Sequence, residues 1–382
     1  MLKEKNRRNC VYYSMLSPFV KMDSGYIFGP SEVKDRKNRS FQSFCDSTPL
    51  IKGEKVSYSE AMLEIKRIIK VDKSIHIDGL STDLQSMHNI LDFAERYNAS
   101  INHMCADEIN IFFSAFQKYG GSFVSFNELK IRSDLVIVIG AKQTNFSSHF
   151  YKNLNWSKQK VKKTIFYLEE NIDEKVSFCS DTINQVTYLK NFLLNKNKSK
   201  NSKLNRLKEQ FLKSKFPVVI ANMKKKDYAL VYSIFDFVRF INKKSRMKIF
   251  SLFGSHNSGG FVNACVTKTG YPNAVSFTDF GPIYEPYLIL TNKQKKIKNV
   301  QIYISNFEPN PKFISFKKNI FIGHPNFVKK RKVDVFIPTK TPGLDTNGLI
   351  AKTDNGGILK LNKSFDSTYP TIIELIEDFQ KY

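Results

Sequence analysis

The chain runs to 382 residues, beyond the size at which one hydrophobic core keeps growing, so two or three cooperating cores are expected. Apolar residues make up 41% of it and its 33 phenylalanines are spread along the whole length, which excludes a disordered chain. The formal charge of +25 favours anionic partners, but the lysines are scattered and no arginine-rich stripe or nucleic-acid signature occurs, so nucleic acid is not the expected partner.

The leading residues, MLKEKNRRNCVYYSMLSPFV, hold no apolar stretch of secretory length, and no run of about 18 apolar residues follows, so a cytoplasmic protein with no membrane partner is expected. Residues 1–50 mix turn formers, charges and aromatics without a sustained period, as in a small lobe of short strands and loops. After Ser57 the run YSEAMLEIKRIIK places Ala61, Ile65, Ile68 and Ile69 on one helical face, with Ser57 and Glu60 spaced as a capping box. SIHIDGL then reads as a strand, and a helix follows from about Thr82 to near Asn98. INHM begins another short strand, a helix covers Glu108 to Lys118, and Leu135 to Ile139 forms an apolar strand of the kind covered on both faces.

The alternation resumes with strands at Thr164 to Leu168 and Pro217 to Asn222, the helix DYALVYSIFDFVRFI, and strands in MKIFSLF and NVQIYISN. Strands alternating with helices point to an α/β layered fold with parallel sheets. Between Leu189 and Lys215 two amphipathic helical pieces flank the polar stretch Asn195 to Ser202, read as a surface loop between two lobes. The closing segment carries Pro, Gly and Asp-Thr-Asn-Gly at hairpin spacing, and TIIELIEDFQ supplies a last helix. The expected division is a small lobe at 1–50, α/β lobes at 51–195 and 203–330, and a β-rich hairpin and helix segment at 331–382.

Few residues suggest chemistry. The five cysteines, Cys10, Cys45, Cys105, Cys179 and Cys265, are odd in number and far apart, which reads as reduced thiols. GSHNSGGFVNAC, from Gly254 to Cys265, is a glycine-rich turn after a strand but lacks the order of a phosphate-binding loop. His256 and His324 are single histidines without converging ligands, so no metal site is expected. His103 and Cys105, two apart after a strand, point the same way if the chain stays extended and form the one candidate base and nucleophile.

Three stretches together resemble the B subunit of formylmethanofuran dehydrogenase, a branch of the molybdopterin oxidoreductases, especially its bacterial form in the formyltransferase/hydrolase complex. They are FNELKIRSDLVIVIGAKQTNFSSHF, TKTGYPNAVSFTDFGPIYEP and DVFIPTKTPGLDTNGLIAKTDN, with PLIKGEKVSYSEAMLEI and HIDGLSTDLQSMHNILDFAERY also in register. The resemblance implies lobes of the molybdopterin oxidoreductase type. It lays Gly254, Asn257, Gly259, Gly260, Gly270 and Tyr271 along the family's cofactor cleft, here read as vestigial. In the family a leading cysteine cluster holds an iron–sulfur centre, whereas this region offers Cys10 without CxxC spacing. The family also has a metal-ligating cysteine followed directly by a catalytic histidine; Cys105 matches the first, but Ala106 follows it.

These departures imply a subunit with no cofactor and no catalytic residue. It would support formyl transfer from tetrahydromethanopterin to a methanofuran-type carrier. Hydrolysis to formate would fall to the complex's amidohydrolase-like A subunit, and transfer to its formyltransferase D subunit alongside its C subunit. The basic balance suits the acidic arm of such a carrier. The rival expectation is a dehydrogenase subunit carrying a molybdenum or tungsten pterin.

Overall fold

The computed structural model describes residues 7–8, 20–23, 26–28, 47–139, 160–168, 182–222, 227–252, 256–290, 293–312, 314–352 and 357–381. Arg7–Arg8 (β1), Val20–Asp23 (β2) and Tyr26–Phe28 (β3) form an antiparallel meander. Leu50–Ile51 (β4) and Glu54–Lys55 (β5) lead into Tyr58–Val71 (α1). The capping box foreseen there is present: Ser57 Oγ accepts from the Glu60 N–H at 3.3 Å, and Glu60 Oε2 accepts from the Ser57 N–H at 2.8 Å.

In chain order there follow Ile75–Ser81 (β6), Leu84–Arg96 (α2), Ser100–Ile101 (β7), Ala106–Tyr119 (α3), Phe126–Ile131 (α4), Leu135–Ile139 (β8) and Thr164–Leu168 (β9). Next come Thr182–Phe192 (α5), Ser202–Lys213 (α6), Pro217–Asn222 (β10), Tyr228–Ile241 (α7), Lys248–Leu252 (β11) and Ser258–Thr269 (α8). The chain closes with Val275–Thr278 (β12), Gly281–Tyr284 (β13), Pro286–Leu290 (α9), Val300–Ser305 (β14), Lys318–Gly323 (β15), Val335–Pro338 (β16), Gly348–Ala351 (β17), Ile358–Leu361 (β18) and Ile372–Gln380 (α10). Among the described residues no helix is long and apolar enough to cross a membrane.

These elements fall into two units. The first takes residues 1–106, 255–353 and 357–382; the second takes 107–254 and 354–356. The first unit is built on a nine-stranded sheet in the order β13-β12-β7-β6-β14-β15-β16-β4-β5. Its centre, β7 to β16, is parallel, and antiparallel hairpins close both edges.

Period-two alternation gives this sheet two unlike faces. Ile77, Ile302, Ile320 and Val335 lie in register on one face, while His76, Gln301 and Asn319 lie in register on the other. On the second face, further along the strands, Tyr303, Phe321 and Phe336 stand in one register and pack with Leu50, Phe327 and Val333. Helix α2 packs against α8 and α10, and α1 against β16 and β4.

The second unit holds an all-parallel sheet, β11-β10-β8-β9. Leu135 to Ile139 is buried at every position, as its unbroken apolar run requires. Its core is filled by Phe112 of α3, Phe192 of α5, Phe211 of α6, and Phe235 and Phe237 of α7. Burying one such ring is worth about 2–3 kcal/mol. The polar stretch 195–202 joins α5 to α6 inside this unit, whose Leu189 and Leu204 enter the same core.

Candidate functional site

In open parallel sheets, ligands bind beyond the carboxyl ends of the strands. In the first unit, β6 there runs into Thr82 and Asp83, β7 into Asn102 and His103, β14 into Asn306, β15 into His324, and β16 into Thr339 and Thr341, all buried. Much of this polar layer is bonded within the chain. Asn306 Nδ2 donates to Thr339 Oγ1 at 2.9 Å and to the Lys340 carbonyl at 2.6 Å. Asp345 Oδ1 accepts from the Thr341 N–H at 2.6 Å, and Asp345 Oδ2 accepts from Ser367 Oγ at 2.6 Å.

His103 is the clearest case of a side chain held by its own fold. Its Nδ1 accepts from the Cys105 backbone N–H at 3.0 Å, and its Nε2 lies 3.3 Å from the His256 carbonyl oxygen. A carbonyl only accepts, so the proton sits on Nε2 and the ring is neutral. Burial, then the neighbouring charge of His256, pushes its pKa down to about 3. The ring also stacks on Phe261 with centroids 5.1 Å apart.

The chain does not stay extended here, because it turns at Met104 and Cys105 to enter α3. The turn corrects the expected alignment: the Cys105 backbone N–H, not an extended pair of side chains, meets the imidazole. A ring with both nitrogens engaged is a poor base at neutral pH. Cys105 is buried and close enough to Tyr303 to help raise that phenol, which burial already holds well above its usual range.

Of the residues laid along the implied cleft, Gly254 lies outside the described residues. His256 and Asn257 both take left-handed backbone, at φ +55° and +60°. Asn257 Nδ2 donates to the Thr82 carbonyl at 3.0 Å and its Oδ1 accepts from the Ala351 N–H at 2.9 Å, tying the loop after β6 to β17. Gly260 lies under this amide: a Cβ there would come within 2.5 Å of Asn257 Nδ2 and Oδ1. Gly259 sits in the first turn of α8, Gly270 ends that helix at φ +80°, and Tyr271 stacks on Tyr284 at 5.3 Å.

The structure thus brings Asn257, Gly259 and Gly260 together at the start of α8, and Gly270 and Tyr271 at its far end. Asn257 has both ends of its amide bonded within the chain, one donated and one accepted hydrogen bond. Cys265 is buried and its thiol is pushed up to about 12 by that burial, which makes it inert. Among the described residues no group of three or more His, Cys, Asp or Glu converges as metal ligands.

An open groove of about 640 Å³ lies elsewhere in this unit, lined by Tyr58, Lys340, Tyr369, Glu374, Asp378 and Lys381. It contains none of the residues singled out from the sequence.

Sequence reasoning missed a buried polar row on the main sheet. His76 Nδ1 is 2.8 Å from Ser100 Oγ, its Nε2 is 3.9 Å from Asp78 Oδ2, and its ring stacks on Phe316 at 5.6 Å. Burial, with Lys298 adding to it, pushes His76 down to about 3, and burial lifts Asp78 to about 6. The signal was the alternation itself: Ile-His-Ile-Asp in β6 and Val-Gln-Ile-Tyr in β14 put polar side chains on one face.

No protein-family model matches the chain, and no curated protein matches it. Among solved structures it is similar to a chain of the formyltransferase/hydrolase complex (FhcABCD) from Methylorubrum extorquens in complex with methylofuran. That likeness has a TM-score of 0.74 at 13% identity and covers 87% of this chain and 98% of that one. A second likeness, to acetylene hydratase from Pelobacter acetylenicus, has a TM-score of 0.49 at 12% identity and covers 99% of this chain and 69% of that one. The first shows a related α/β fold.

Proposed function

We propose that this chain is a non-catalytic B subunit of a cytoplasmic formyltransferase/hydrolase complex in one-carbon metabolism. In that complex a formyl group passes from tetrahydromethanopterin to a methanofuran-type carrier and is hydrolysed to formate. The observation that carries the reading is the fold likeness to a chain of such a complex over 98% of that chain. The geometry at His103 supports the absence of chemistry here, since the candidate base is buried, neutral and bonded at both nitrogens. The role of this chain is to hold the amidohydrolase-like A subunit beside the formyltransferase D subunit and the C subunit. Its charge of +25 suits a carrier with an acidic arm.

The test is purification of the tagged full-length chain from its native cells, followed by identification of its partners and elemental analysis. The expected result is co-purification of the A, C and D subunits, with formate produced and no stoichiometric iron, molybdenum or tungsten assigned to this chain. Iron with acid-labile sulfide, or a pterin released from this chain on denaturation, would replace the reading with a catalytic dehydrogenase subunit.

A further inference from the structure

Strands β6, β14, β15 and β16 of the first unit lie side by side and parallel, so their amino ends share one edge of the sheet, opposite the polar layer. Register fixes the level: Val300 pairs with Ile75 and with Lys318, and Ile320 pairs with Val335. Every one of these strand starts carries lysine. Lys73 precedes β6, Lys298 precedes β14, Lys317 and Lys318 open β15, and Lys332 precedes β16. Strand β4 ends beside β16, with Ile51 opposite Val335, and Lys52 continues the row, its N–H donating to the Asp334 carbonyl at 2.8 Å. Neighbouring strands lie about 4.8 Å apart, so the row from β6 to β4 is roughly 19 Å long. Lys52, Lys73, Lys317 and Lys332 are exposed.

The side chains nearby bear out this placement. Lys52 and Gly53 take φ +50° and +91°, a two-residue turn in left-handed backbone where a lysine is rare. A Cβ on Gly53 would stand 3.6 Å from the Arg331 Cβ, so the turn sets Lys52 next to a further cation. The chain's own acids there are engaged. Asp72 Oδ1 accepts from the Ser74 N–H at 3.0 Å, Glu64 Oε1 meets Arg67 at 2.6 Å, and Asp334 Oδ1 meets Lys318 Nζ at 3.1 Å. Hydrogen bonds from Ser74, then the charge of Lys317, hold Asp72 below the ordinary carboxylate range; Arg67, then Lys52 and Lys318, do the same for Glu64. Glu54, exposed on β5, is a further carboxylate at this corner.

Charge and shape select the occupant. A second copy of this chain would bring the same lysines and another +25 of charge. Single-stranded nucleic acid binds by stacking its bases on aromatic rings, and residues 72–75, 298–300, 317–318 and 332–335 include none. An anionic membrane is a plane, whereas strand starts one sheet thick make a line. A line of cations roughly 19 Å long matches an extended segment of about six residues at about 3.3 Å each.

We propose that this amino-end edge is a docking row for an extended acidic segment of a partner protein, whose carboxylates meet Lys73, Lys317, Lys332 and Lys52 along β6-β14-β15-β16-β4. The inference goes beyond the formyltransferase/hydrolase reading and does not rest on it, because the row is defined by this chain alone.

The test measures binding of fluorescein-labelled octaglutamate to the purified full-length chain by anisotropy at two salt concentrations. The row variant carries Lys52→Gln, Lys73→Gln, Lys317→Gln and Lys332→Gln. A control removes the same charge from the second unit through Lys196→Gln, Lys198→Gln, Lys200→Gln and Lys213→Gln, all exposed. Expected are salt-sensitive binding by wild type, roughly tenfold weaker binding by the row variant and a change within about twofold in the control. The double variant Lys73→Gln/Lys332→Gln should weaken binding about threefold, and it carries the test if the fourfold variant does not fold. Equal binding by wild type and row variant refutes the row, as does an equal loss in the control, which would make net charge the cause. Failure of wild type to bind the peptide also refutes it. Polyphosphate or phosphatidylserine vesicles that bind more tightly than octaglutamate, and lose that binding in the row variant, would replace the acidic segment with a phosphate ligand. None of these outcomes bears on whether the chain co-purifies with the A, C and D subunits, so the two readings fail separately.

Discussion

Gly260 is a glycine because Asn257 occupies the space its side chain would need. The contact is to one side chain, so its cost is conditional on that side chain. Gly260→Ala alone should destabilise the protein by about 1–3 kcal/mol through overpacking. Asn257→Ala alone should cost about 2–3 kcal/mol, since it leaves the Thr82 carbonyl and the Ala351 N–H without the bonds they make now. In the Asn257→Ala background, however, Gly260→Ala should be neutral or gain up to about 1 kcal/mol of helix propensity. A double-mutant cycle in urea reads this coupling; additive losses would mean that Gly260 is held for another reason. By contrast, Cys105→Ser should leave formate production by the assembled complex within a factor of about two, equivalent to under 1 kcal/mol in the barrier. A hundredfold fall with assembly intact would make Cys105 catalytic. At this scale the sequence shows the spacing of residues but not their partners. The spacing of His103 and Cys105 is visible in the chain, whereas the His256 carbonyl that fixes the tautomer lies 153 residues away.

Helix starts are decided locally, which is why elements were more legible than sites. The Ser57–Glu60 box and the Thr371–Glu374 box each close within four residues. Ser57→Ala should therefore cost about 1 kcal/mol, read as a lower urea midpoint with an unchanged slope. An unchanged midpoint would show that tertiary packing alone holds α1. The strands seen in advance are those with long apolar or alternating runs, such as β8, β10 and β14. The hairpin β12–β13 escaped as strands because each run is short, and Gly281 and Pro282 break the β pattern at the sheet edge. Pro282, which has no N–H, also makes that edge a poor site for pairing with another strand.

At the scale of the whole molecule, the order β7-β6-β14-β15-β16 joins strands more than 200 residues apart, and nothing in local pattern encodes that closure. Its consequence is a first unit that buries three histidines, His76, His103 and His324, each pushed down to about 3 by burial. In the unfolded chain a histidine titrates near 6.5. The folded values lie below the unfolded one, so the stabilising contribution is complete above pH 6.5 and is lost as pH falls from there toward 3. Asp78 works in the opposite sense: lifted to about 6 by burial, it keeps its proton in the fold at pH values where the unfolded chain has released it. At pH 5.5 the histidines together should cost about 4 kcal/mol and Asp78 should return about 1, for a net loss of roughly 3 kcal/mol relative to pH 7.5. Urea unfolding at the two pH values and one salt concentration measures it. His324→Asn should remove about a third of the histidine share, provided the variant folds at pH 7.5. A stability that is flat or rising between pH 7.5 and 5.5 would mean that these imidazoles accept protons in the folded protein, and that the polar layer at the strand ends is open to water.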